Sequence, residues 1–469
     1  MTTRFSLNQS ARGDGVRFPG NRRRTAKRHG PASHTALSRL AQPSRKYFLL
    51  LILLLCAFAG RAANALRDFP VTQFGAVADD AVLDTAAIQQ AIDACAAAGG
   101  GTVRVPQGRF LAGGLRLKDH VYLFLEAGSL LQGSTNCADY GGQPAWGDAL
   151  LTARNANDLR IEGPGTIDGA DCRNPKGEEG FRGPHAIFLT ACTNIVIEGV
   201  TITRAGNYAV LCRDSVGAEI RRVTVRGGHD GLHAQACRQF NVRDCDFRTG
   251  DDCLAGCDNH DFAVTGCQIN SSCNGFRLGC DTLLVKDCRL WGPGEFQHQI
   301  SRRTNMLAAF VHFAPKDRKP RWPSDHWLIQ NVTIENADTV YGYDFERGLW
   351  QTGQPAQRLR FQNVKATGLA KPLRALGDTN QLFELTLENV SLALRPDKQA
   401  QEVINVSRFG SLVLSNVTLQ NRGDQPVLRA RDGRSVVLDR ITTVPPNSAP
   451  FVLEKVSETR TNSAAGSGN

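Results

Sequence analysis

The chain has 469 residues, enough for a large core, with 14 cysteines and a formal net charge of +10. The charge is concentrated at one end: residues 1–46 hold eleven Lys or Arg against one Asp, and from residue 66 onward 43 basic side chains face 44 acidic ones. That near-neutral body excludes a fold built to hold nucleic acid, which needs a basic footprint on the folded domain itself.

The first 65 residues read as a basic leader and export signal. Tyr47 to Ala59 is a 13-residue apolar run preceded by Arg45-Lys46 and followed by the small-x-small sequence Ala63-Asn64-Ala65. A spanning helix needs about 20 apolar residues, so the run suits the apolar region of a signal peptide cut after Ala65. The expected mature protein meets a membrane only transiently and is periplasmic or extracellular.

Residues 66–460 read as one domain, with 66–134 as its N-terminal cap unit. Asp84-Thr85 is placed to cap a helix over Ala86–Ala98, with Ile88, Ala91, Ile92 and Cys95 on one face and Gly99 to Gly101 as the stop. Strand-type runs follow at Thr102–Val105, Arg109–Leu111 and Val121–Leu125. From Leu159 a short pattern recurs: apolar, polar, then Gly, Asp, Asn or Arg, then a small apolar residue. Its third residues are Gly163, Gly199, Arg222, Asp244, Gly266, Asp287, Asn331, Asn363, Asn389, Asn416 and Arg440. The regular middle intervals are 23, 22, 22 and 21, with long ones of 36 before and 44 after. A period of about 20–25 residues with short strands is a solenoid signature. The expected class is all-β: a right-handed parallel β-helix with an N-terminal capping helix. The 44-residue interval should hold an insertion or an extra turn near Trp291–Pro323 that shapes one face. The four asparagines are expected to stack and bond turn backbones. The Ser-, Gly- and Asn-rich tail from Thr461 is expected to be disordered.

Cysteine placement follows the same repeat. Cys245, Cys267 and Cys288 align with Val200, Val223 and Val332, which reads as interchangeable small apolar packing. Cys192, Cys237, Cys257 and Cys280 suggest a second stack. One or two disulfides stay open, and no CxxC or His-Cys spacing points to zinc.

Function concentrates in Gly227–Cys280. Asp230 and Asp251, the first of the pair Asp251-Asp252, lie 21 residues apart, close to one period, and strands of neighbouring turns are about 4.8 Å apart, so three carboxylates should meet on one face. Gly-Asp-Asp is also good turn chemistry, which is the plain alternative. Arg277, one turn on, should point into the same groove, to bind substrate or to offset the acids. His229 and His233 flank Asp230 and should share a face at i and i+4. Trp322, Trp327, Trp350 and Tyr341 suit sugar stacking or ordinary packing. Lys316-Asp317-Arg318-Lys319 suits an acidic polysaccharide or a solvated loop.

The segment Phe74–Phe110, the stretch Gly163–Gly169 (GPGTIDG) and Thr249–Cys253 (TGDDC) resemble the polygalacturonases, glycoside hydrolase family 28, within the pectate lyase-like β-helix superfamily. The resemblance covers about Asp68–Arg347. It implies that Asp251 is the general acid, with Asp230 and Asp252 orienting the attacking water in an inverting mechanism. The sequence departs from the family at two places. Asn274 in Cys273-Asn274-Gly275 stands where the family has the histidine of Gly-His-Gly, and Asn305 to Ala309 offers no match to Arg-Ile-Lys. Asn274, Arg277, His229 and His233 are therefore expected to bind substrate, with no metal and no cofactor. The implied activity is that of an exported, monomeric glycoside hydrolase acting on a pectin-like or related polysaccharide. A polysaccharide lyase using Ca²⁺ and Arg277, or a β-helix that only binds glycans, are the alternatives.

Overall fold

The computed structural model describes residues 67–141, 147–314, 319–348 and 353–462. The leader, residues 316–318 of the basic run, Trp350 and the tail from Ser463 lie outside the described residues.

From residue 67 the strands wind into a right-handed parallel β-helix of three sheets. In the regular middle each turn contributes three strands, and each pairs in parallel with its equivalent one turn away. The first sheet shows the register clearly: Val210, Leu232, Leu254, Phe276, Phe310 and Tyr341 form one continuous column. All six are buried and point inward, so the core is a set of stacked apolar columns. Strand alternation then turns Leu211, His233, Ala255 and Arg277 to the outer face.

The third residue of each repeat now has a physical reason. Asp244, Asp287, Asn331, Asn363, Asn389 and Asn416 all have φ between 53 and 55°, and Gly199 and Gly266 also lie at positive φ. This is the left-handed corner between the second and third sheets, tolerated best by Gly, Asn and Asp. The asparagines do stack, but they bond one another and not the turn backbone. Asn363 Nδ2 donates to Asn331 Oδ1 (2.9 Å), Asn389 to Asn363 (3.0 Å) and Asn416 to Asn389 (2.8 Å).

The cysteine column is a packing column. Cys245, Cys267 and Cys288 are buried beside Val223 and Val332, and every cysteine among the described residues is a free thiol. The second stack needs one correction. Register places Cys192, Cys237 and Cys280 at one position, where they alternate with Ser215, Asn259 and Ser324. Cys257 lies two residues ahead of Asn259. At this corner Asn259 Oδ1 accepts from the Cys237 N–H, and Ser215 Oγ accepts from the Cys192 N–H.

The capping helix α1 (Thr85–Ala97) buries Ile88, Ala91, Ile92 and Cys95, the expected face. Its N-terminus is built differently. Asp84 does not cap the helix; its Oδ1 accepts from the Val77 N–H, and Thr85 Oγ1 accepts from Gly113 N–H. The 44-residue interval is one turn, not two. Between Trp291 and Asp325 it has a single first-sheet strand, Met306–His312, with long connections on either side. At the far end the last strand, Phe451–Asn462, runs past Thr461, where the tail was expected to begin.

Candidate active site

The acids sit at the corner where the chain passes from the third sheet to the first. Strands Leu232–Gln235 and Leu254–Thr265 pair Leu232 with Leu254, so Asp230 and Asp252, each two residues earlier, occupy equivalent corner positions. The Gly231 N–H donates to Asp252 O (2.9 Å) and the Cys253 N–H to Asn274 O (3.1 Å). The column is therefore Asp230, Asp252, Asn274. The spacing argument paired Asp230 with Asp251; the true partner is Asp252, and Asp251 stands one residue outside the column. This offset is what brings three acids together. An oxygen from each of Asp230, Asp251 and Asp252 lies within 4.8 Å of the others. That is closer than the carboxyl separation of about 6.5–9.5 Å that a water-filled inverting site would have.

Exposure separates the three. Asp251 keeps 14% of its side-chain surface exposed, against 1% for Asp230 and Asp252. Asp252 is held at both oxygens: Oδ1 accepts from Asn274 Nδ2 (2.7 Å), and Oδ2 is paired with Arg277 Nε. Arg277 stands in register with His233 across Ala255, whose small side chain leaves the guanidinium room to fold back onto the acids. Its Nη2 lies 3.9 Å from Asp230 Oδ2, and its face rests 4.5 Å above the Phe313 ring.

The sequence-predicted histidines divide. His233 Nδ1 is 2.9 Å from Asp230 Oδ2, and its ring stacks on Tyr208 at 4.7 Å. His229 precedes the strand, so the i, i+4 argument does not apply to it; it faces a cavity beside the acids. Burial pushes both rings down to about 3, which leaves them neutral at physiological pH. Of the aromatic candidates among the described residues, Trp327 and Tyr341 are core residues and Trp322 stacks on His260, so none of these three reaches this site.

Two partners of Asp251 were not legible from the repeat. Arg182 Nη2 lies 3.1 Å from Asp251 Oδ2, and the same side chain binds Glu179 and Asn207. His298 Nε2 lies 3.5 Å from the same oxygen. Its Nδ1 accepts from the Ser301 N–H (3.1 Å), which leaves the ring proton on Nε2, facing the acid. Arg182 comes from the insertion in the 36-residue interval and His298 from that in the 44-residue interval. Those long intervals were the available signal. Glu178, beside Arg182, is a fourth acid, on the same insertion and outside the repeat positions.

Opposite forces act on the acids. Burial raises Asp230 well above the carboxylate range, and the charges of Asp251 and Asp252 raise it further, with Arg277 and Arg182 only partly offsetting. Burial also acts on Asp251, but the hydrogen bond from His298 and the charges of Arg182 and Arg277 outweigh it and hold Asp251 below that range. Asp230 thus binds a proton more tightly than Asp251, which is the more exposed of the two. The three oxygens are close enough to share a cation, although Arg277 and Arg182 already supply positive charge there. A separate group, Asp281, Asp325 and His326, lies on the second sheet, with Asp325 bound to Arg358.

A family model described as rhamnogalacturonase A/epimerase, pectate lyase-like, matches residues 69–277. A probable polygalacturonase from Vitis vinifera is 28% identical over 211 residues, covering 39% of this chain and 43% of that protein. An exo-poly-alpha-D-galacturonosidase from Dickeya chrysanthemi is 40% identical over 118 residues, covering 21% and 19%. The chain thus spans less than half the length of these two relatives. Among solved structures, a hyperthermoactive exopolygalacturonase from Thermotoga maritima superposes with a TM-score of 0.57 at 18% identity, covering 75% of this chain and 91% of that one. A family 28 exopolygalacturonase from Yersinia enterocolitica gives 0.54 at 18%, covering 84% and 78%. The chain is thus a right-handed parallel β-helix whose residues 69–277 match a pectate lyase-like family model, and it is similar in sequence to polygalacturonases over part of its length.

Proposed function

We propose that the protein is an exported glycoside hydrolase that cleaves an acidic, pectin-type polysaccharide through Asp230, Asp251 and Asp252, without a cofactor and as a monomer. The observation that carries the reading is the opposition of proton affinities within one cluster. An acid and a base must coexist there, and environments that push carboxyl pKa values apart are how one site holds both.

The cycle closes without any outside proton. A substrate that draws Arg182 off Asp251 raises the proton affinity of Asp251, and Asp230 is the adjacent proton source. The proton passes from Asp230 to Asp251 and then to the glycosidic oxygen as the C–O bond breaks. Asp230, now a carboxylate beside Asp252, takes a proton from the attacking water as the new C–O bond forms. The cluster ends as it began. Asp252 has both oxygens engaged and Asp230 starts protonated, so neither presents a free nucleophilic oxygen. This favours direct attack by water and inversion over a covalent intermediate, despite the short separations. Asn274 holds Asp252 in place and so supports the water site, in the absence of the family's histidine.

The test uses the exported protein, its N-terminus sequenced to check for a start near Leu66, with polygalacturonate as probe. Expected are new reducing ends, a first-formed anomer opposite to the substrate linkage by proton NMR, no absorbance near 235 nm, and no effect of chelator. Unsaturated products absorbing there, with Ca²⁺ restoring lost activity, would make it a lyase. Retention of configuration would remove the water-attack scheme. Binding without any product would leave a glycan-binding β-helix.

A further inference from the structure

At the edge of the first sheet away from the acids, the chain turns into the second sheet through a column of left-handed corners. Asp214, Ala236 and Asp258 hold equivalent corners of three successive turns, at φ 51, 56 and 62°. Ala236 has the smallest side chain of the three, so its turn leaves a gap between two carboxylates. Arg321, from the second insertion, spans that gap. Its Nη2 lies 3.1 Å from Asp214 Oδ1 and its Nε 3.6 Å from Asp258 Oδ2. Beside this bridge lies an open hollow of about 320 Å³, lined by Arg213, Asp214, Gln235, Ala236 and Arg321. That volume falls within the span of small-ligand pockets, about 300–1,000 Å³.

Arg213 is set apart from its neighbours by what it lacks. Arg226 holds Asp246 and Arg248 holds Glu295 on the third sheet. Arg213 pairs with no carboxylate among the described residues, and its buried Nε makes no hydrogen bond. The adjacent Asp214 is engaged by Arg321 instead. The repeat does not demand an arginine there either, since Thr190 and Gln235 stand in register with Arg213 on the adjoining turns. Its guanidinium lies 5.4 Å from the centre of the Phe188 ring, so an aromatic side chain supports the cation. A buried guanidinium donor without an acceptor is costly. The acceptor that matches its planar fork of N–H groups is an oxyanion. Gln235 adds an amide at the same edge, and Arg321 adds a second guanidinium whose two acids fix it in place.

We infer that this hollow binds one oxyanion, a carboxylate, sulfate or phosphate group, on Arg213, with Gln235 and Arg321 as further donors. The site lies at the opposite end of strand Leu232–Gln235 from the acids and does not rest on the hydrolase reading. A bound oxyanion ties a first-sheet strand to the second insertion, through Arg213 on one side and Arg321 on the other.

Isothermal titration of the exported protein with sodium sulfate, sodium phosphate and sodium galacturonate is the test. Each is compared with sodium chloride at matched ionic strength, which removes general screening, and neutral galactose controls for contacts to a sugar ring. Expected is saturable binding of at least one oxyanion, weakened about tenfold or more in Arg213→Gln and less strongly in Gln235→Leu and Arg321→Gln. Sulfate or phosphate binding as tightly as galacturonate, and lost in Arg213→Gln, would support the site with a free inorganic anion as its ligand. Galacturonate binding alone, lost in the same variant, would support it with the carboxylate of a sugar acid. No oxyanion binding above chloride, equal binding of galactose, or full affinity in Arg213→Gln would each refute it. Arg321 lies on an insertion outside the strand core, so Arg321→Gln remains informative if Arg213→Gln fails to fold. Unchanged affinity in both Arg321→Gln and Gln235→Leu would then refute the site. Turnover is not measured, so the outcome is independent of whether the protein proves to be a hydrolase.

Discussion

The three aspartates invite the same substitution with different consequences. Asp→Asn keeps the shape and removes the titrating group, so each variant is expected to lose about 10²–10⁴-fold in kcat. Stability should separate them. Asp251 Oδ2 accepts from Arg182 Nη2 at 3.1 Å with His298 Nε2 at 3.5 Å, and Oδ1 accepts from the Asp252 N–H at 3.1 Å. An asparagine can face its NH₂ to only one side, and both sides present donors. Whichever way it turns, a donor meets a donor, and losing the Arg182 bond alone costs about 1.5–3 kcal/mol. Asp230 is the opposite case. Its proton affinity is raised well above the ordinary value in the folded site, whereas the unfolded chain ionises it near 3.8. Folding takes up a proton there, so this group's contribution to stability falls as pH rises from about 4 towards its raised folded value. An amide removes that proton-uptake penalty, about 1.4 kcal/mol for each unit of elevation that lies below the working pH. It can still donate to His233 Nδ1. Urea unfolding at pH 7 should therefore rank Asp230→Asn at or above wild type and Asp251→Asn clearly below it. At pH 4 the advantage of Asp230→Asn should vanish. For Asp251, whose folded value is lowered, the stabilisation is present above 3.8 and lost as pH falls below it, so the deficit of Asp251→Asn should shrink in acid. Finding Asp230→Asn less stable than Asp251→Asn at pH 7 would mean that Asp230 is ionised in the folded protein, and the proton cycle would fall with it.

Cys267→Val should leave kcat and KM unchanged and cost less than about 1.5 kcal/mol, because Val200, Val223 and Val332 fill the same column; a larger loss in urea unfolding would give the thiol a role beyond packing. Asn363 lies at φ 53° and bonds Asn331 and Asn389 on either side. Asn363→Ala should therefore cost about 1–2 kcal/mol more than Asn363→Gly, since both lose the ladder but only alanine is strained in the left-handed region; equal costs in urea unfolding would show that the backbone conformation contributes nothing.

What the sequence revealed of this protein was what the repeat constrains. A strand column demands a side chain of one kind at one interval, and a left-handed corner demands Gly, Asn or Asp at another. The columns through Cys267 and Asn363 are therefore legible in the sequence. The acids could be located for the same reason, because Asp230 and Asp252 occupy repeat positions. Their partners could not. Arg182 and His298 lie in the two insertions, where no column fixes the side-chain direction, and they are 69 and 47 residues from Asp251. Counting residues gave Asp251 as the period mate of Asp230, one residue off, because a period of 21 to 23 cannot distinguish neighbours. Only the register of Leu232 on Leu254 does so. That single residue carries the chemistry. In the column a carboxylate is held by Arg277 and Asn274, whereas one step outside it meets the insertions and the open groove. The proton-storing acid is thus set by the solenoid and the exposed charged one by the insertions. On the hydrolase reading proposed above, variation in the insertions would then change which glycan the site accepts while leaving the acid column in place.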